Sequence, residues 1–151
     1  MSAWWGFGQV MKQHIAPLLE REHGIDFGNF IVLNAINSGA NYPTHICERL
    51  VMHPSGVSRM IELLVTRGFI TRALDADDSR RVKLEITPKG LAVLEEARAT
   101  MAELLDHGFK DVPHDQLEVF AETLDRAHRS MSAATQTETA ASRTERSSAN
   151  R

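Results

Sequence analysis

A mainly α-helical fold with one small β-hairpin is what this sequence of 151 residues predicts, arranged as a helix-turn-helix, a wing and longer flanking helices. Three observations predict it. Apolar side chains recur at spacings of three and four along most of the chain, the period of an amphipathic helix. Proline opens three such stretches, at Pro43, Pro54 and Pro88, where its missing N–H leaves no helical hydrogen bond unmade. Within residues 69–86 the pattern changes: Val82, Leu84 and Ile86 alternate with Lys83 and Glu85, the period of a half-buried strand.

In chain order, residues 3–22 form a first helix on the stripe Trp4, Phe7, Met11, Ile15 and Leu18. Pro17 is expected to kink it or tighten a turn, and Gly24 to end it. Residues 27–37 form a second helix with Phe27, Phe30, Leu33 and Ile36 on one side. A short third helix opens at Pro43 and buries Ile46 and Leu50. After the turn Val51-Met52-His53, a fourth runs from Pro54 to Arg67, with Val57, Ile61 and Leu64 inward and Gly68 as a left-handed cap. Two strands, 69–74 and 82–86, enclose a tip too polar to be buried. Thr87 caps a long helix that opens at Pro88 and reaches about His107, carrying Leu91, Leu94, Met101, Leu104 and Leu105. A last helix spans about His114 to Met131 on Leu117, Phe120, Leu124 and Met131. Residues 1–131 therefore read as one domain. Residues 132–151 are polar, without apolar period, and are expected to be a disordered tail.

Composition narrows the function classes. No apolar run is long enough to span a bilayer, and the first residues lack the basic, apolar and cleavage regions of a secretory signal. The single cysteine, Cys47, excludes an intramolecular disulfide. A cytoplasmic protein without membrane contact is expected. The formal net charge of −3 argues against nucleic acid only if charge were evenly spread. It is not: residues 59–90 carry seven basic side chains against five acidic, and residues 91–131 carry four against nine. A basic edge beside an acidic half is compatible with DNA approach in one orientation.

The order helix, turn, helix, strand, tip, strand is a device for placing one helix in a major groove, whose width matches it. The entering helix needs small residues near its N-terminus and donors that reach base edges and phosphates. Ser55, Gly56, Ser58 and Arg59 supply them, and the helix dipole favours phosphate at the same end. At the tip, Arg80 and Arg81 could enter the adjacent minor groove, with Lys83 close by. Asp75, Asp77 and Asp78 oppose DNA there unless paired. Asp75 or Asp78 is therefore expected to tie down the hairpin by pairing with an arginine. A plain helical hairpin with a solvated charged loop is the blander reading of the same residues.

From Ile46 to Gly90 the sequence resembles the multiple-antibiotic-resistance regulator (MarR) family of bacterial and archaeal transcription factors. The matching pieces are Glu48-Arg49-Leu50, Pro54-Ser55-Gly56-Val57-Ser58-Arg59, Leu64 to Ile70, and the wing signature Asp75, Asp78-Ser79-Arg80, Thr87 and Gly90. The likeness covers about residues 5–131, the DNA-reading part being about 41–90. It implies that Ser55, Gly56, Ser58 and Arg59 face a major groove and that Arg80 enters a minor groove. It also implies a homodimer through helices at about 3–22 and 88–131, bound to an inverted-repeat operator. Such regulators typically repress a neighbouring gene and release DNA on binding a small molecule, oxidant or metal. Four positions depart from the family pattern. Val51 replaces a common glycine, so the turn is expected to adopt a conformation that suits a β-branched residue. Tyr42 and His53 stand where Ser, Thr or Asp caps are common, and Gly56 replaces a frequent threonine.

The dimer also follows from the residues. Trp4, Trp5, Phe7, Leu117, Phe120, Leu124 and Met131 exceed what the DNA-reading unit can cover, so a second copy is expected to bury them. In this family a cleft between the dimerisation helices and the winged part takes planar anions. Met11, His14, Phe30 and His45 are candidate lining residues for a small aromatic or anionic effector, with core filling as the alternative. Cys47 reads as a buried thiol rather than a redox switch, and no HxxxH or Cys pair suggests a metal or other cofactor. No Gly-rich phosphate loop, nucleophile elbow or triad spacing points to an enzyme. A protein-interaction module without DNA contact, or a metal- or redox-responsive regulator, are the alternatives.

Overall fold

The computed structural model describes the backbone of residues 2–75 and 81–148 and the side chains of residues 5–75 and 81–131. The order is α1 (Ser2–His23), α2 (Phe27–Asn37), α3 (Pro43–Leu50), α4 (Pro54–Thr66), β1 (Ile70–Leu74), β2 (Val82–Ile86), α5 (Pro88–Phe109) and α6 (His114–Ser148). The chain divides into two compact units, residues 1–106 and 107–151.

The core of the first unit is built by α1 to α4, the hairpin and the start of α5. Ile15, Leu19, Ile25, Val32, Leu33, Ile46, Val57, Leu64, Ile70, Leu84 and Leu94 are all buried within it. α1 runs unbroken through Pro17. Its deepest side chains are Ile15 and Leu19, four residues apart; Leu18, expected on the stripe, is only half-buried. α2 is capped by Asp26, whose carboxylate accepts the Asn29 amide at 2.7 Å. Arg98 on α5 donates to Asn34 Oδ1 on α2 through both Nε and Nη2.

β1 and β2 pair antiparallel, with Ile70 opposite Ile86 and Leu74 opposite Val82. The inward side follows the predicted alternation only near the base. Leu84 is buried and Ile86 half-buried, whereas Val82 and Leu74 are exposed, because the far end of the hairpin reaches beyond the core. Leu84 donates its N–H to Asn41 O at 2.7 Å, tying β2 to the residues before α3.

The return from wing to α5 is tightly specified. Thr87 Oγ1 accepts the Gly90 amide at 3.0 Å, the capping role the sequence predicts, and lies 2.8 Å from Gly68 O. The Thr87 N–H donates to Phe69 O at 3.0 Å. A Cβ at position 90 would collide with that same Phe69 carbonyl, so only glycine allows the two backbones this close.

The second unit holds the end of α5 and α6. Phe109 and Phe120 rings sit 6.5 Å apart within it. α6 continues to Ser148, past Met131 where the loss of apolar period suggests an end and a tail. Residues 132–148 contain neither glycine nor proline, so no backbone breaker stops the helix.

The turn between α3 and α4 departs from expectation. Val51 adopts φ 51° and ψ 47°, the left-handed conformation, and caps α3 while Met52 N–H donates to Cys47 O at 3.0 Å. The turn keeps the geometry that suits glycine, and Val51 takes it at a cost of about 1–2 kcal/mol. Replacing it removes the strain but loosens the unfolded chain, which costs up to about 1 kcal/mol. Val51→Gly should therefore raise stability in urea unfolding by roughly 0.5–1 kcal/mol; a loss of stability would show that Val51 is not strained.

Candidate nucleic-acid interface

The sequence dictates which way α4 faces. Val57, Ile61 and Leu64 are buried against the core, which turns Ser55, Ser58, Arg59 and Glu62 outward. Gly56 is half-buried, with open space where a side chain would stand. Among the described residues no carboxylate pairs with Arg59. The outer start of α4 is thus small, polar and cationic, at the positive end of the helix dipole.

His53 closes that end. Its Nδ1 lies 2.8 Å from Ser55 Oγ and accepts the Ser55 amide at 3.3 Å, so an imidazole does what Ser or Asp commonly does. This requires the neutral ring with its proton on Nε2. The dipeptide His53-Pro54 was the available signal, since a proline at the first helical position makes its predecessor the cap.

The wing stands beside α4. Arg72 on β1 donates to Glu62 on α4 at 2.6 Å, fastening the hairpin to the helix. Lys83, expected to contact DNA, lies 3.2 Å from Glu85. Arg81, also expected there, is exposed and places its guanidinium 4.1 Å from the centre of the Tyr42 ring. The Tyr42 hydroxyl donates to an Asp75 carboxylate oxygen. That bond pushes the Tyr42 hydroxyl above its ordinary pKa, desolvation adds to it, and Arg81 and Lys83 oppose it. Arg80, Asp77 and Asp78 lie outside the described residues. Tyr42 is a residue that the linear sequence did not single out for this place, because its partners lie more than thirty positions away.

Among the described contacts, the four candidate effector residues are held by different neighbours. Met11 lines a mainly apolar cavity of about 300 Å³ with Gly8, Lys12, Ile15, Ala16 and Phe27. His14 points its Nδ1 at Val10 O, 2.8 Å away. Phe30 packs on Phe27 at 6.2 Å, and His45 sits edge-on to Tyr42 at 5.0 Å. Among the described residues, no cluster of His, Cys, Asp or Glu could hold a metal ion, and no helix is long and apolar enough to cross a membrane.

Residues 23–81 match the sequence profile of the MarR family. This segment belongs to the MarR family. No curated protein matches the chain. Among solved structures, the MarR-type fold extends well beyond the matched segment. The transcriptional regulator BldR of Sulfolobus solfataricus is 24% identical with a TM-score of 0.72, over 83% of this chain and 92% of that one. MepR of S. aureus, in complex with DNA, is 20% identical with a TM-score of 0.71, over 85% and 94%. CouR of Rhodococcus jostii RHA1, bound to p-coumaroyl-CoA, is 19% identical with a TM-score of 0.70, over 78% and 83%.

Cys47 lies in the MarR segment on α3, half-buried against the core. Burial pushes its thiol above the ordinary range, and Glu48 adds to the shift. A raised pKa means less thiolate at neutral pH, hence slower nucleophilic reaction. Iodoacetamide at pH 7 should alkylate the folded chain more slowly than the urea-unfolded chain, with the folded rate climbing only at more alkaline pH. Faster reaction of the folded protein would reopen a redox role.

Proposed function

We infer that this MarR-family chain is a DNA-binding transcriptional regulator, acting in the cytoplasm as a homodimeric repressor that a small molecule releases. One observation carries the reading: the exposed, uncompensated start of α4, with Ser55, Ser58 and Arg59, lies on a helix fastened by Arg72–Glu62 to a wing bearing Arg81 and Lys83. A helix presented this way fits a major groove while the wing approaches the neighbouring phosphates. The DNA complex of MepR, on a similar fold, supports it.

Arg59→Ala should weaken binding to a duplex from upstream of the protein's own coding sequence by about tenfold or more. If Arg59 contacts a phosphate, the loss should spread evenly over sequences and flatten the salt dependence by about 0.9 in log–log slope. Unchanged affinity and slope would sink the DNA-reading function. Adding aromatic acids to the same titration tests release, the apolar cavity beside Lys12 being the proposed entry for an aromatic anion. The p-coumaroyl-CoA complex of CouR supports an effector of that kind.

The homodimer is supported by apolar side chains left at the surface. Trp5 and Val10 on α1 are exposed, as are Val119 and Phe120 on α6. A second copy would cover them and set two reading helices about 34 Å apart, matching an inverted repeat. Sedimentation at micromolar concentration should show a dimer; a stable monomer would remove the basis for a paired operator.

A further inference from the structure

We propose that Tyr42 is a positioning residue that holds Arg81 at the far end of the wing's two strands as a contact to DNA phosphate, a role that rests on the DNA-reading function inferred above. Tyr42 stands at the N-cap of α3 but makes no capping bond with its side chain. Its side chain engages the wing instead. The ring face takes the Arg81 guanidinium at 4.1 Å, and the hydroxyl donates to Asp75. Asp75 and Arg81 are the two ends of the hairpin, joined by Asp75 N–H to Arg81 O at 3.1 Å. One tyrosine therefore grips both strands where they leave the sheet, while its neighbour Asn41 holds β2 through Leu84.

The charge arrangement singles out Arg81. Arg72 is paired with Glu62, and Lys83 with Glu85, so both cations are partly neutralised within the protein. Arg81 rests on a ring. A guanidinium over an aromatic face keeps its full charge, and the N–H donors along its planar edge form a rigid fork. That edge matches the oxygens of a phosphate. Stacking also fixes a long side chain before DNA arrives, so less conformational freedom is lost on binding. His45, edge-on to Tyr42 at 5.0 Å, buttresses the ring from α3.

The test uses the full chain, a duplex from upstream of its own coding sequence, and a scrambled duplex of equal length. Tyr42→Leu and Arg81→Gln should each weaken binding several-fold on both duplexes and flatten the log–log salt slope by about 0.9. The double variant should be no worse than Arg81→Gln alone, because the tyrosine acts through the arginine. Tyr42→Phe, which keeps the ring, should recover most of the slope lost in Tyr42→Leu. Additive losses, an unchanged slope in Tyr42→Leu, or a folded Tyr42→Phe as flat as Arg81→Gln would overturn the proposal. Should Tyr42→Leu fail to fold by circular dichroism, the Tyr42→Phe slope decides alone. If the unmodified chain binds neither duplex, the regulatory reading falls and this inference with it. If it binds and Arg59→Ala weakens it while the Tyr42 and Arg81 variants do not, only this inference falls.

Discussion

The approach of Gly90 to the Phe69 carbonyl is the contact on which the rest of the molecule's geometry depends. It brings the start of α5 directly against the turn that ends α4, with no side chain between the backbones. Thr87 holds both sides of this junction through its amide and its hydroxyl. Lys89 adds a bond to Arg67 O at 2.9 Å and lies 5.1 Å from the Phe69 ring centre. Because the hairpin leaves and re-enters at this one point, its direction relative to α4 is fixed there. A two-stranded hairpin is marginal by itself in water, so this anchoring decides whether the wing exists as a defined object.

Around that anchor, the residues that precede helix-opening prolines carry much of the chemistry. Proline spares its predecessor from helical geometry and leaves that side chain at the mouth of the helix. At position 53 the side chain turns back to cap α4. At position 42 it leaves α3 uncapped and reaches the wing. The same local grammar thus gives one local role and one long-range role. The strained Val51 lies between them, in the turn that joins α3 to α4, and the buried residues on either side of it, Ile46, Val57, Ile61 and Leu64, share one core.

Much of the fold was legible because its signals are local. Prolines 43, 54 and 88, the glycine at 68 and the threonine at 87 mark element ends within a residue or two, and the periods of three to four and of two separate helix from strand. The outward face of α4 followed from its buried stripe in the same way. What the sequence did not show depends on juxtaposition. Nothing near Tyr42 announces Asp75 or Arg81, and nothing near Met11 announces Phe27 across the cavity. The shift from Leu18 to Leu19 in α1, and the exposure of Val82, reflect where the core ends, which a periodic pattern cannot encode. The extent of α6 was missed because apolar period reports burial, and a helix can continue without it.

The bond from Leu84 to Asn41 has a consequence for how the protein avoids other chains. Asp75 pairs with Arg81, so Leu84, three places further along β2, turns its N–H away from β1. That would make it a free donor on an open sheet edge, the usual template for strand addition, domain swapping and fibril growth. Asn41 already occupies it. The outer edge of β2 therefore offers one backbone donor fewer to a passing strand.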